Sequence, residues 1–305
     1  MRVPDFFIVG ASKCGTTSLS RYLDAHPNVC FALAKEPHFF SNDFPLQKLD
    51  NNFSQYWRRN FSRYDPRKHH SIGEGSGTYY ISDLAVPNIL RLNPAAKFIY
   101  MVRNPVDMVY AWYYHVLFGG GEDVDFEAAW DLQALRLRGE RIPKGSTGLR
   151  DPRFLQYRAL ASLGSRLMFL KEHVPPDQLM VIVFDDFVRD KKSSYESVLA
   201  FIGVPSDGRL NFQRLNANKV QRSRILGSIN ASLPRWVSVA THEVKSRMGL
   251  RQVPLNFIAT LNAKQTGRPP LRQEFRERLM AEFAPEVRLI EQHLGRELRA
   301  WHRGD

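Results

Sequence analysis

Short apolar runs alternate along the chain with stretches whose apolar residues recur at helical spacing. Residues 5–9 read as a first strand, followed by a glycine-containing turn and a helix over 16–25 that Pro27 stops. Residues 29–32, 71–73, 97–102 and 178–184 read as further strands, and the last two are unbroken apolar runs of the kind buried on both sheet faces. Helices are expected over 83–92, over 106–118 behind Pro105, over 154–173 and over 193–202. This alternation predicts an α/β fold with a parallel sheet of about four or five strands flanked by helices. Gly119-Gly120-Gly121 with Glu122-Asp123 breaks the pattern and reads as a mobile loop, as do residues 140–150 with Pro143, Gly145 and Gly148. Strand signals fade over 205–270, and residues 271–294 and 296–301 read as a charged amphipathic helix pair around Gly295.

Composition narrows the class. The 305 residues are 43% hydrophobic and 24% charged, an ordinary globular balance that excludes disordered and fibrous chains. The two cysteines, Cys14 and Cys30, cannot build a disulfide framework and favour a reducing compartment. No apolar run approaches the ~18 residues that cross a bilayer, and the opening apolar run is too short for a signal peptide, so the expected location is the cytoplasm. The net charge of +12 is uneven: residues 1–150 hold 18 bases and 15 acids, residues 151–305 hold 25 and 16. Residues 209–251 alone carry nine bases (Arg209, Arg214, Lys219, Arg222, Arg224, Arg235, Lys245, Arg247 and Arg251) against Glu243. Such a stretch suits an anion: nucleic acid, anionic lipid, a phosphorylated cofactor or an acidic polysaccharide. A solvated basic face is the plain alternative.

The sharpest chemical signal is Gly10-Ala11-Ser12-Lys13-Cys14-Gly15-Thr16-Thr17-Ser18, set between a strand and a helix. Backbone N–H groups of such a turn, with a helix N-terminus behind them, cradle anions. A nucleoside-triphosphate loop places lysine directly after the second glycine. Here Thr16 holds that place and the lysine lies inside the loop at Lys13, which suits a 5′-phosphate carrying one further anionic group. The second signal is Arg103, delivered by an apolar strand at the end where open α/β sheets bind ligands, with Pro105 starting the next helix. Arginine there can hold a phosphate bidentately, or can pair structurally with Asp107. Asp185-Asp186 after an apolar strand mimics a magnesium-binding carboxylate but reads as structural. Neither the cysteines nor the histidines show metal-ligand spacing, so no metal is expected.

Together these segments resemble the sulfotransferases that use 3′-phosphoadenosine 5′-phosphosulfate (PAPS). Lys13-x-Gly15-Thr16-Thr17-Ser18-Leu19 is similar to that family's 5′-phosphosulfate loop, and Arg103-Asn104-Pro105 to the start of its 3′-phosphate motif. Lys35-Glu36-Pro37-His38-Phe39-Phe40 and Glu74-x-Ser76-x-x-Tyr79 resemble segments of the heparan-type carbohydrate sulfotransferases and their bacterial relatives. The resemblance is clear over residues 5–118, weak at Asp185-Asp186-Phe187 and near Leu294–Trp301, and absent over 119–150 and 205–270.

The resemblance implies a P-loop-like three-layer fold, with residues 1–305 as a single sulfotransferase domain, a basic insert or flap over 205–270 and the helix pair over 271–301. It implies sulfuryl transfer from PAPS to a hydroxyl or amine, with a carbohydrate as the expected acceptor and an alcohol of lipid or small-molecule metabolism as the alternative. Ser12, Lys13, Cys14, Gly15, Thr16, Thr17 and Ser18 would bind the 5′-phosphosulfate, with Lys13 on the bridging oxygen, and Arg103 would bind the 3′-phosphate. Glu74 would be the general base, its pKa raised by partial burial, with His38 and His115 as substitutes. Lys35 would contact the sulfuryl group or the acceptor, or pair with Glu36. One departure stands out: the family's serine eight residues after the arginine is Ala111 here. A P-loop kinase would use the same loop and Asp185 but lacks its lysine after Gly15. A nucleic-acid module would use residues 209–251, where only Phe212 and Trp236 offer stacking, so no nucleic-acid partner is expected.

Overall fold

The computed structural model describes residues 2–34, 36–44, 52–143, 151–213, 219–221, 263–265 and 268–303. Five short strands, β1 (Phe6–Gly10), β2 (Val29–Phe31), β3 (Ser71–Gly75), β4 (Lys97–Val102) and β5 (Leu179–Val183), pair in parallel in the order β2-β3-β1-β4-β5. All five fall where the apolar runs predict them. β1 is central and wholly buried, with Phe7 opposite Glu74 on β3 and Phe98 on β4. The expectation of burial on both faces holds for β4 but not for β5, whose Leu179, Met180 and Val181 are half-buried because β5 is the last strand of the sheet.

The topology chooses the place for a site. From β1 the chain goes to one side of the sheet, to β2, and from β4 to the other, to β5. Direction therefore reverses between the neighbours β1 and β4, and the crevice beyond their carboxyl ends is where open α/β sheets receive ligands.

The described residues divide into two compact units: those within Met1–Arg103 and Met168–Asn216, and those within Asn104–Leu167, Ala217–Thr241 and Val253–Asp305. The first unit contains the sheet. Its helix α1 (Thr16–Asp24) follows β1 directly, and its helix α3 (Ala85–Leu92) matches the expected 83–92. Helix α2 (Phe53–Asn60) escapes the sequence pattern because its polar face outnumbers its apolar one; Asn52 caps it, accepting the Gln55 N–H. The segment entering the basic stretch lies on α1: Tyr22 donates to the Gln213 carbonyl at 2.9 Å, while Arg209 pairs with Asp207 and lies over the Tyr195 ring. Of the expected flap, Lys219–Gln221 pairs antiparallel with Ala263–Gln265, and the rest of 214–267 lies outside the described residues.

In the second unit, α4 (Pro105–Phe118) starts with proline at its first helical position, and the Asn104 side chain accepts the Val106 N–H at 2.9 Å. Helix Gln273–Leu294 packs on it, tied by Arg276–Asp107 at 3.1 Å, and ends at Gly295 in the left-handed conformation. The expected helix over 154–173 is broken into a 3₁₀ turn (Pro152–Leu155) and helices Tyr157–Ala161 and Leu163–His173. Ser162 leaves helical geometry there, at φ −73° and ψ 59°. Gly164 approaches the long helix so closely that a Cβ would lie 2.3 Å from the Glu286 carbonyl oxygen.

The glycine-rich stretch before Glu122 also differs from its reading as a mobile loop. Glu122 is buried and accepts both Arg136 Nη atoms at 2.6 Å each and the Tyr157 hydroxyl at 2.6 Å. Local composition could not reveal this anchor, because the arginine comes from the helix Gln133–Leu137. Most of residues 140–150 lie outside the described residues. Arg136→Ala, which strands a buried carboxylate, should destabilise the protein by about 3–5 kcal/mol. Arg158→Ala, which removes the exposed partner of Glu282, should cost less than about 1 kcal/mol. Urea unfolding followed by circular dichroism checks both values.

Candidate active site

The turn from β1 into α1 is built around Gly15. It caps α1 in the left-handed conformation (φ 94°), which favours glycine, and a Cβ there would stand 3.0 Å from the Phe184 ring. No side chain caps the helix, so its positive end faces the loop. Lys13 is also left-handed (φ 65°), and its carbonyl accepts from Arg103 Nη1 at 3.5 Å. The Arg103 guanidinium lies over the Phe184 ring, 4.8 Å from its centroid. The two separate sequence signals, the Lys13 loop and Arg103, thus converge at the carboxyl ends of β1 and β4. Backbone amides, a helix N-terminus and a guanidinium are each groups that attract anions.

Ser12 and Cys14 shape this loop with their side chains turned inward. Ser12 Oγ donates to the Gly77 carbonyl at 3.2 Å, tying the loop to the end of β3. Cys14 is buried with Sγ 3.5 Å from the Ser12 carbonyl. Burial pushes its thiol up to about 12, against the lowering influence of Arg103 and Lys13. Cys14 can therefore offer a ligand its backbone but not a thiolate.

Opposite the loop, Ile8, Thr16, Ser20, Glu36, Gly75 and Gly77 line a cleft. Glu36 is the carboxylate that reaches it, with its side chain 34% exposed and Oε2 3.7 Å from His38 Nε2. His38 Nδ1 is hydrogen-bonded to Thr78 Oγ1 at 2.8 Å. A Cβ at Gly77 would stand 2.8 Å from Ser12 Oγ, so glycine there lets the loop close on the end of β3.

Glu74 is placed differently. Its side chain lies near the end of β3 with 0% exposure, outside the cleft lining, receiving hydrogen bonds from the hydroxyls of Tyr56 and Ser76. Burial is complete rather than partial, and the carboxylate open to the cleft is the glutamate of the Lys-Glu-Pro-His-Phe-Phe segment. Sequence reasoning had that segment in hand, but nothing in residue order distinguishes a carboxylate that lines the cleft from one outside it. Lys35 lies outside the described residues. His115 is exposed on α4 in the second unit, beside the Trp112 ring, and Ala111 is buried on the same helix. Asp185 is exposed and Asp186 pairs with Arg189. Among the described residues no cluster of three side chains suited to a metal occurs.

A glycine turn between strand and helix, an arginine beside it and a carboxylate on the neighbouring cleft are the groups that a donor carrying phosphate or sulfate requires. Residues 3–231 match the family model of the sulfotransferase domain, and the chain belongs to that family. It is 27% identical over 214 residues to human bifunctional heparan sulfate N-deacetylase/N-sulfotransferase 2, covering 67% of this chain and 22% of that protein. It is 26% identical over 113 residues to the membrane-associated sulfotransferase kil1 of Dictyostelium discoideum, covering 37% of this chain and 23% of that one. The chain thus spans about a fifth of the length of these curated relatives. The crystal structure of a sulfotransferase from Alicyclobacillus acidocaldarius matches with a TM-score of 0.71 and 25% identity, over 99% of this chain and 100% of that chain. The expected P-loop-like α/β fold and the resemblance to sulfotransferases both hold.

Cys30 is buried as well, its thiol pushed up to about 11 chiefly by burial. Both cysteines should resist iodoacetamide at about pH 8 in the native protein and react once it is unfolded, as read by mass spectrometry. Rapid native labelling of Cys14 would mean that the loop opens.

Proposed function

We propose that the protein is a PAPS-dependent sulfotransferase that passes a sulfuryl group to a hydroxyl or amine of a carbohydrate acceptor. The observation that carries this reading is the contact of Arg103 with the Lys13 loop at the carboxyl ends of β1 and β4, beside a cleft that Thr16 of the same loop lines together with Glu36. The uncapped N-terminus of α1 and the amides of the Gly10–Gly15 turn fit the 5′-phosphosulfate, and the guanidinium of Arg103 fits the 3′-phosphate. As the acceptor oxygen or nitrogen bonds to sulfur, the bond from sulfur to the nucleotide's bridging oxygen breaks, and Lys13 steadies the charge left on that oxygen.

Glu36 takes the acceptor's proton. A general base must come within hydrogen-bond reach of the group it deprotonates. Glu36 faces the cleft, whereas Glu74 is covered by its own hydroxyl partners. His38 beside Glu36 supports the transfer, Lys35 contributes to the sulfuryl group or the acceptor, and the reaction uses no metal. Carbohydrate as acceptor is supported by the likeness to a protein described as a heparan sulfate N-sulfotransferase. The alternative acceptor is an alcohol of lipid or small-molecule metabolism. Cytoplasmic placement belongs to the same proposal: both cysteines are free, which fits a reducing compartment, and no described helix is long and apolar enough to cross a membrane.

Adenosine 3′,5′-bisphosphate should raise the melting temperature without added metal, because a ligand that binds only the folded state stabilises it. Stabilisation by ATP with magnesium and not by the bisphosphate would overturn the reading. Arg103→Ala should lower the preference for the bisphosphate over adenosine 5′-phosphate by about 10-fold or more, the loss of a charged hydrogen-bond donor. Calorimetric titration measures this.

Glu36→Gln should lower sulfuryl transfer by ~10²–10⁴-fold, the usual contribution of a general base. It should leave bisphosphate affinity unchanged within about twofold. Radiolabelled PAPS with N-desulfated heparan as acceptor tests the rate, and full activity of Glu36→Gln would remove that residue from the chemistry.

A further inference from the structure

The cleft-facing turn is backbone-strained. Glu36 and His38 both lie in the left-handed region, at φ 64° and 55°. Non-glycine residues stay there only where their surroundings hold them. The main chain supplies one restraint, the Glu36 N–H donating to the Gly75 carbonyl at 3.1 Å. Thr78 Oγ1 holds the His38 ring at 2.8 Å and Ser41 Oγ donates to the His38 carbonyl at 3.1 Å, while three further contacts converge on a single buried group. The His38 N–H donates to Ser76 Oγ at 3.0 Å, and Ser76 Oγ donates to Glu74 Oε1 at 3.3 Å. The Phe40 N–H donates to the Tyr79 hydroxyl at 3.3 Å, and that hydroxyl is in turn hydrogen-bonded to Glu74. Between them, the Phe39 ring stacks on Tyr56 with centroids 4.5 Å apart and planes 19° from parallel, and the Tyr56 hydroxyl donates to Glu74 Oε2. Three consecutive residues therefore reach one carboxylate, each through one hydroxyl-bearing side chain. Glu74, Ser76, Tyr56 and Tyr79 are all fully buried.

We propose that Glu74 is a positioning residue whose carboxylate orients the hydroxyls of Tyr56, Ser76 and Tyr79 so that they hold the turn with Glu36 facing the cleft. The inference rests on Glu36 being the base. The chemistry of the donors explains why a carboxylate is needed. A hydroxyl has one proton and two lone pairs, and a carboxylate only accepts. With every proton drawn inward to Glu74, the outer lone pairs of Ser76 and Tyr79 are left for the amides of His38 and Phe40. A glutamine at 74 would present an NH₂ donor on one side. Where that NH₂ meets Ser76 or Tyr79, the hydroxyl has to turn its proton outward, donor against amide donor, and release its part of the turn.

The test uses the full chain as Glu74→Gln, Ser76→Ala, Tyr79→Phe and Glu36→Gln, with adenosine 3′,5′-bisphosphate bound for the exchange measurement only. Amide hydrogen exchange, bisphosphate affinity and transfer to N-desulfated heparan are measured for each. Glu74→Gln should speed exchange at His38 or at Phe40, whichever loses its acceptor, by about 10-fold or more while β1 amides keep their protection, since only local opening has changed. Ser76→Ala should speed His38, and Tyr79→Phe should speed Phe40. In all three, kcat should fall about 10-fold or more, as expected when a reacting group is misplaced, with the KM for PAPS nearly constant. Glu36→Gln should lose transfer with exchange unaltered.

Should Glu74→Gln fail to fold, the serine and tyrosine variants decide the matter by themselves. Unaltered exchange at both amides overturns the proposal, as does loss of transfer in Glu74→Gln with exchange intact, which would place Glu74 in the chemistry. Transfer retained by Glu36→Gln overturns the assignment of the base instead, and the exchange data still decide what Glu74 holds.

Discussion

Everything at the candidate site depends on one tight turn between the central strand and the first helix. Gly15 must be left-handed and must pass the Phe184 ring without a Cβ, so that α1 can start uncapped just beyond the carboxyl end of the central strand. From that constraint follow the open helix terminus, the inward-turned Cys14 and the approach of Arg103 to the Lys13 carbonyl. Phe184 serves both sides of the arrangement, packing on the loop glycine and carrying the guanidinium on its face. The reversal of strand order between β1 and β4 supplies the crevice, and the turn supplies the anion donors within it.

Buried carboxylates are the second theme, and the molecule uses them as organisers. Glu122 in the second unit is neutralised by the Arg136 guanidinium and a tyrosine hydroxyl, and it pins a stretch whose composition is that of a flexible loop. Glu74 in the first unit is surrounded by hydroxyls. Removing a carboxylate from water is costly unless every lone pair is met, so such groups persist where their partners are also needed for something else. At Glu122 the partners close a loop; at Glu74 they continue outward to the amides of the cleft turn.

Much of the fold is legible along the chain because its signals are local. β4 coincides with the apolar run at 97–102, α4 starts at Pro105, and Gly295 ends the long helix. The phosphate-type loop is equally readable, since strand, glycine turn and helix start are contiguous. What residue order hides is non-local. The close approach of Gly164 to Glu286, two residues past the break at Ser162, is a contact distant in sequence, and the half-exposure of β5 depends on its place at the end of the sheet.

The division is clearest at the two glutamates. Sequence by itself determined the α/β class, the anion loop around Lys13 and Gly15, the arginine at the end of β4 and the family, because each rests on residue types at fixed short spacing. It also marked Glu74 as the base and named Glu36 only within its motif and as a partner for Lys35. Only the tertiary structure decided which of them meets the cleft. A side chain's exposure is set by what the sheet and its neighbouring segments lay over it, and the hydroxyls that enclose Glu74 come from Tyr56, Ser76 and Tyr79, on both sides of it in sequence.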